Sequence, residues 1–248
     1  MNDPKRSGPD PYGDKNKSPG SGSKNLMILG AVIVVVVLAV VAVLLTGGDG
    51  GSGTASKDKD TGAHAAANAV KEQSGVTVSG EALPQYPEVS TVLAPADQDP
   101  AVGKTPPTLS GQTFDGSDLK IDPSDGRAKV VVFIAHWCPH CQREVPEIQK
   151  WIDDGNKPED VDFYAVSTAV SAKQPNYPPS KWIKSVGWTP QVLLDDADSH
   201  AATAWGLTGF PYMVALNADG TVSERGSGEV PMDQFSAMVD ALQRGGKS

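Results

Sequence analysis

The chain is poor in cysteine: its 248 residues contain two, Cys138 and Cys141, separated by two residues. Two cysteines cannot build the dense disulfide framework of a small secreted scaffold. A bridge between them would close too short a loop to stabilise the fold much. The pair is therefore expected to carry chemistry rather than to staple the chain.

Basic residues are scarce as well. The chain has 21 Lys and Arg against 30 Asp and Glu, which gives a formal net charge of −9. An acidic surface repels nucleic acid and offers no basic patch to lipid headgroups. Nucleic acid is therefore excluded as a partner.

Charged and polar side chains are absent from residues 26–45. A helix of that length covers about 30 Å, the thickness of the bilayer hydrocarbon. Residues 1–25 carry more cationic than acidic side chains, and cationic flanks stay in the cytoplasm. The pattern predicts one transmembrane anchor at residues 26–45, a cell-membrane location, a cytoplasmic N-terminus and an extracytoplasmic remainder. The alternative is a cleaved signal peptide, whose apolar core is usually shorter.

The rest of the chain divides by composition. Residues 1–25, rich in Pro, Gly, Ser and charge, predict a disordered cytoplasmic tail, and residues 46–102 predict a flexible extracytoplasmic linker. At the end of that linker a few apolar positions, among them Leu83 and Tyr86, are interrupted by prolines and acids. They are expected to reach the domain edge at most. The globular domain is assigned to residues 103–248.

Strand and helix patterns alternate in this domain. Residues 129–135 form a β-branched run without alternation, typical of a central strand buried on both faces. Pro139 suits the first position of the next helix. Further strands are predicted at 161–167 and 191–195, helices at 178–188, 199–207 and 230–245, and hairpins at 107–121 and 211–226. The predicted class is α/β: a mixed central sheet flanked by helices, with an N-terminal hairpin extension, preceded by a single transmembrane helix.

Cys138 lies at the predicted start of the first helix. Thiol–disulfide exchange needs a thiolate, and a free cysteine with a pKa of about 8.5 is mostly protonated at neutral pH. Unpaired N–H groups and the helix dipole favour an anion there, and His140 can donate a hydrogen bond or a positive charge to the sulfur. Both effects are expected to lower the pKa of Cys138. Cys141, one turn further on, is expected to be buried and protonated.

This arrangement closely resembles the thioredoxin fold over residues 103–246. The resemblance rests on a strand, then Trp137-Cys-Pro-His-Cys141 opening a helix, then Pro146, and later Gly209-Phe210-Pro211 just before another strand. The overall length and the lead-in at residues 103–116 are similar to membrane-tethered TlpA-like thioredoxins. The Pro-His dipeptide between the cysteines is that of DsbA-type oxidants.

The resemblance implies roles for the residues of the motif. Cys138 is the expected nucleophile, Cys141 the resolving residue of a redox-active disulfide, and His140 the group that tunes them. The expected substrate groove is formed by Trp137, Pro139, Phe210 and a cis-bonded Pro211. The expected partners are exported protein thiols or disulfides and a membrane redox partner that recycles the site. No cofactor is expected, and the protein is expected to be a monomer.

One position departs from the family pattern. Many thioredoxin-like proteins carry a buried acid six residues before the first cysteine, and this chain has Val132 there. Glu144 on the same helix is another carboxylate, but the sequence does not separate it from a solvent-facing residue. Deprotonation of Cys141 therefore has no evident helper.

The same residues are compatible with two other kinds of site on composition alone. A zinc site would use His136, Cys138, His140 and Cys141, but structural zinc sites usually draw on two separated pairs of ligands. A peroxiredoxin would need a Pro-x-x-x-Thr-x-x-Cys setting, which is absent. No metal is therefore expected, and His136 is assigned to the rim of the site.

The expected function is that of a thiol–disulfide oxidoreductase that donates disulfides to exported proteins. The Pro-His dipeptide, the valine at position 132 and the predicted oxidising compartment favour this direction. The alternatives are a reductant, for example of apocytochrome c haem-site cysteines, and a tethered binding module without catalysis.

Overall fold

The computed structural model describes residues 70–245, whose strands form two sheets, one of three strands and one, a mixed sheet, of five. The strands are β1 (Thr77–Ser79), β2 (Thr108–Gln112), β3 (Asp118–Ile121), β4 (Ala128–Ile134), β5 (Val161–Ser167), β6 (Gln191–Leu194), β7 (Tyr212–Leu216) and β8 (Val222–Ser227). The helices are α1 (Pro139–Asp153), α2 (Pro179–Ser185), α3 (His200–Ala204) and α4 (Met232–Gly245). The strands and helices predicted between residues 107 and 245 are thus confirmed, with ends that shift by a few residues.

Strand β4 lies in the middle of the sheet, whose order is β6-β5-β4-β7-β8. It runs parallel to β5, with Val132 opposite Ala165, and antiparallel to β7, with Val132 opposite Met213. All of its residues are buried. A strand covered on both faces needs apolar side chains on both sides, which is why its sequence shows no alternation.

Alternate side chains of β4 enter two separate cores. Val130 and Val132 pack with α1 and α4, whereas Val131 and Phe133 pack with α3, Trp205 and the β2–β3 hairpin. The helix α1 begins directly after β4, so its first turn lies at the carboxyl end of the central strand. This is the edge at which open α/β sheets place their functional groups.

Residues 77–102 differ from the flexible linker predicted for residues 46–102. Strand β1 pairs with β2, placing Val78 opposite Leu109, and Leu83 and Tyr86 are buried. Their backbone N–H groups donate to carbonyl oxygens at the end of α3 and just beyond it. The prolines between these apolar residues break any periodic pattern, so their burial leaves no signal in the local sequence.

A buried ion pair fixes the end of this segment. Arg225 on β8 donates from Nε to Asp99 Oδ2 at 2.8 Å and from a terminal nitrogen to Asp99 Oδ1, and both side chains are fully buried. Its other terminal nitrogen donates to Pro84 O at 2.8 Å and to the Tyr212 hydroxyl at 2.9 Å. The guanidinium thus finds the several partners that a buried charge requires.

The prediction of a transmembrane helix and of a cell-membrane location is corrected. Within residues 70–245, no helix is both long and apolar enough to cross a membrane. The 15-residue helix α1 reaches only about 22 Å at 1.5 Å per residue, and one of its faces is polar. The tail and anchor predicted for residues 1–45 lie outside the described residues.

Replacing Asp99 by Asn should lower the free energy of unfolding by about 3–5 kcal/mol, because it leaves the buried Arg225 charge without its counter-ion. Asp154→Asn, which breaks an exposed pair with Lys150 on α1, is the control and should cost less than about 1 kcal/mol. Urea denaturation of both variants measures the difference. Equal losses would show that the buried pair does not hold the segment.

Candidate active site

The two cysteines lie at the junction of β4 and α1. Cys138 is the residue that precedes α1, in extended backbone conformation, and Pro139 occupies the first turn. Cys141 follows one turn later. Both are free thiols, Cys141 is fully buried and Cys138 is 5% exposed. The predicted burial of Cys141 is therefore present in the structure, while Cys138 is more covered than a free surface thiol.

Aromatic and backbone groups surround the Cys138 sulfur. Its Sγ lies 3.8 Å from the carbonyl oxygen of Phe210, which precedes Pro211 in a cis peptide bond. The Trp137 ring packs edge-on against Phe210 with centroids 5.8 Å apart, and its Nε1–H donates to Ala169 O at 2.8 Å. The fold thus brings residues 137–141 next to residues 210–211, as the resemblance implied. Pro139 is exposed beside them.

His140 points to a different group from the one expected. Its Nδ1 lies 3.0 Å from Glu229 Oε2 and 2.8 Å from a terminal nitrogen of Arg143. Depending on the tautomer, Nδ1 donates to the carboxylate or accepts from the guanidinium. No hydrogen bond between His140 and Cys138 occurs among the described residues. The ring is held by the ion pair of Arg143 and Glu229 rather than by the sulfur.

Glu144 is the main residue of the site that the sequence did not identify. It is 1% exposed and lies on α1, one turn beyond Cys141. Its Oε1 accepts from the Val230 backbone N–H at 2.8 Å, while Oε2 has no partner among the described residues. Burial raises the pKa of Glu144 to about 8, against an opposing effect of the Val230 hydrogen bond. The group can therefore exchange a proton near neutral pH.

Cys141 lies in the same buried environment. Burial raises the pKa of its thiol well above the ordinary value, and the nearby Cys138 and Glu144 add to this when they are charged. Because residues three apart on a helix share a face, Cys141 and Glu144 are neighbours along the buried side of α1. A thiol that is hard to ionise therefore lies beside a carboxyl group suited to take its proton.

His136 is buried rather than placed on the rim. Its Nδ1 lies 2.7 Å from Pro175 O, and its Nε2 accepts from the Ser171 N–H at 3.2 Å. These two contacts define a neutral ring with its proton on Nδ1. Both ring nitrogens are thus engaged by the loop of residues 169–177, so His136 fixes that loop and is not turned toward the cysteines as a zinc ligand would be.

Comparison with known proteins identifies the family. The Redoxin family model matches residues 101–242, more than half of the chain. The chain belongs to the Redoxin family.

Similar proteins include Sporulation thiol-disulfide oxidoreductase A of Bacillus subtilis, which is 25% identical over 144 residues, 58% of this chain and 83% of that protein. The crystal structure of StoA from Bacillus subtilis is 23% identical with a TM-score of 0.45, covering 56% of this chain and 98% of that one. A thiol:disulfide interchange protein of the thioredoxin family from Chlorobium tepidum is 26% identical with a TM-score of 0.45, covering 56% and 95%. The predicted thioredoxin-like α/β fold is confirmed by the family match together with the mixed central sheet and its flanking helices.

Within this Redoxin domain, one local signal marks Glu144. The buried positions of α1 are Cys141, Glu144, Val145, Ile148 and Gln149, which form a helical stripe. An acid inside such a stripe is a departure from amphipathic patterning. Glu229 gives no comparable signal, because its contact with α1 depends on the tertiary fold.

The buried carboxyl group should make stability depend on pH. Glu144 titrates at about pH 8 in the folded protein and at about 4.5 when unfolded, so between these values the folded state holds the extra proton. Stability due to this group should fall with rising pH, by up to about 1.4 kcal/mol per pH unit.

Urea denaturation of the wild type and of Glu144→Gln from about pH 5 to about pH 7.5 tests this slope. The difference in unfolding free energy between them should shift in favour of the variant as the pH rises. Glu147→Gln, an exposed position on the same helix, is the control and should keep the wild-type slope. A Glu144→Gln variant with that same slope would contradict the assigned titration.

Proposed function

We propose that this chain is a protein thiol–disulfide oxidoreductase that reduces disulfides of protein substrates through Cys138 and Cys141. The observation that carries the proposal is the order of groups along the start of α1: a nearly buried thiol, a fully buried thiol and a buried carboxyl group at successive turns. Membership of the Redoxin family and similarity to Sporulation thiol-disulfide oxidoreductase A support the same class of reaction.

In the first step, the thiolate of Cys138 attacks one sulfur of a substrate disulfide. The S–S bond breaks, the other substrate sulfur leaves as a thiolate, and a mixed disulfide joins Cys138 to the substrate. Trp137 and Phe210 flank the reacting sulfur. An extended substrate segment paired with the backbone at Phe210 would bring its own sulfur to Cys138, with Pro139 and Pro211 bordering the groove.

In the second step, Cys141 resolves the mixed disulfide. Its thiol is protonated because of burial, so a base has to take the proton first. Glu144 is that base in this proposal, since its carboxyl group lies one turn away and has a pKa of about 8. The Cys141 thiolate attacks Cys138 Sγ, and the second substrate thiolate leaves. Two electrons have then passed to the substrate, and a second thiol protein must reduce the Cys138–Cys141 disulfide.

The surroundings of Cys138 support the reducing direction. A strong oxidant owes its potential to a stabilised thiolate in its reduced form. Here the Phe210 carbonyl, an acceptor, lies at the Cys138 sulfur, and His140 bonds to Glu229 and Arg143 instead of to Cys138. The start of α1 and the charge of Arg143 still favour a Cys138 thiolate, but without a bond from His140. The buried Glu144 also supplies the proton acceptor that Val132 does not provide, which removes the main objection to a reductant.

A disulfide-donating oxidase is the second candidate. The Pro-His dipeptide favours it, because this sequence is typical of DsbA-type oxidants. In that direction the same groups act in reverse: a substrate thiolate attacks Cys138, and Glu144 returns a proton to Cys141 as it leaves.

The reduction potential separates the two candidates. Thioredoxin lies at about −270 mV and DsbA at about −120 mV, a difference of about 7 kcal/mol for two electrons. Equilibration of the purified protein with glutathione buffers should give a potential more negative than about −230 mV. A potential near that of DsbA would contradict the proposed reductant and support the oxidase. Cys141→Ser, which cannot form the internal disulfide, is the control.

A further inference from the structure

Two consecutive residues of α1 contact two consecutive residues of the loop between β8 and α4. Arg143 makes three hydrogen bonds to Glu229: from Nε at 3.2 and 3.0 Å and from a terminal nitrogen at 2.6 Å. The next residue, Glu144, accepts from the backbone N–H of Val230, the residue after Glu229. Helix and loop are thus joined twice, side by side.

The two contacts differ in exposure. The side chains of Arg143 and Glu229 are 53% and 34% exposed, whereas Glu144 and Val230 are each 1% exposed. An exposed ion pair contributes little to global stability. A planar guanidinium that binds a carboxylate through several bonds nevertheless fixes its geometry. The outer pair therefore restrains Glu229, the residue directly before the Val230 amide, relative to α1.

We propose that the Arg143–Glu229 ion pair is a positioning device that holds the Val230 amide against Glu144 and so sets how readily Glu144 exchanges a proton with Cys141. This inference rests on the proposed function, in which Glu144 takes the proton of the resolving cysteine. Arg143 and Glu229 are positioning residues: neither forms a hydrogen bond with a cysteine in the described structure.

The Val230 amide is the sole hydrogen-bond donor that the described structure gives to the Glu144 carboxylate. If the loop moves away, the buried anion loses that bond and is harder to form. The other charged or titratable groups acting on this site are Cys141 and Glu147 on α1 and Glu229 itself. Since Glu229 is a like charge, its field alone opposes ionisation of Glu144.

Glu229→Ala therefore distinguishes loss of the positioning contact from loss of the negative charge. The two losses shift the pH midpoint of Glu144 in opposite directions. Loss of the ion pair should raise the pH midpoint for ionisation of Glu144, because the Val230 amide is no longer held. Loss of the negative charge alone should lower the same midpoint. The proposal requires the midpoint to rise. A rise of about one pH unit is expected, because the Glu144 carboxylate, a charged group, loses a hydrogen bond.

The resolving step can be followed with an aromatic disulfide, 5,5′-dithiobis(2-nitrobenzoate), on the reduced full-length protein. The first thiol released reports the attack by Cys138, and the second reports the attack by Cys141 on the mixed disulfide. In Glu229→Ala the second phase should slow by about tenfold below the midpoint and shift its pH midpoint upward, while the first phase changes little. Arg143→Lys, which keeps the positive charge opposite Glu229 but loses the planar guanidinium, should keep part of the wild-type profile.

Three further arms complete the test. Asp154→Ala, which removes another exposed ion pair of α1, is the matched control and should leave the second phase unchanged. Salt at about 1 M, which screens exposed charges, should raise the wild-type midpoint but not that of Glu229→Ala.

Glu144→Gln should slow the second phase. An unchanged second phase in Glu144→Gln would overturn both the proton acceptor and this inference, whereas a slowed one with an unchanged or lowered midpoint in Glu229→Ala would overturn the inference alone.

Discussion

A carboxyl group held inside the protein with a single hydrogen bond is the constraint on which the site depends. Glu144 accepts from one backbone N–H, has one oxygen without a partner within residues 70–245 and is almost completely buried. An isolated carboxylate in such a place is costly, so the group keeps its proton up to about pH 8. That proton affinity suits it to serve Cys141, a thiol whose own burial makes it hard to ionise.

The surrounding elements of the fold position the Glu144 carboxyl group. The apolar strand β4 fixes the start of α1 at the carboxyl end of the sheet, and the side of α1 that packs on β4 and α4 carries Cys141 and Glu144 inward. The exposed side of the same turns carries His140 and Arg143, which bind Glu229. The first turns of one helix thus present a buried proton-exchange pair on one side and an exposed ion pair on the other, and the loop before α4 contacts both.

Much of the fold could be predicted because its signals are local. The apolar run at residues 129–135 marks a central strand, and Pro139 after the Trp-Cys pair marks the helix start, both of which the structure contains. Glu144 stands out locally only as an acid within the buried stripe of α1, and its burial could not be assigned, because that burial depends on a loop more than eighty residues away. The packing of residues 77–102 was missed for the same reason, since Asp99 finds its counter-ion at Arg225. The expected contact of His140 with Cys138 failed because Glu229 competes for the ring.

The most direct measurement is the titration of Glu144 itself. Carbon-13 NMR of the side-chain carboxyl carbon, assigned by its loss in Glu144→Gln, reports ionisation of this one group in the reduced full-length protein. The account predicts a midpoint at about pH 8, far above the value of 4.5 for an ordinary glutamate. A midpoint near 4.5 would make the carboxylate too weak a base to take a proton from the Cys141 thiol, whose pKa burial raises, and would contradict its role as the proton acceptor.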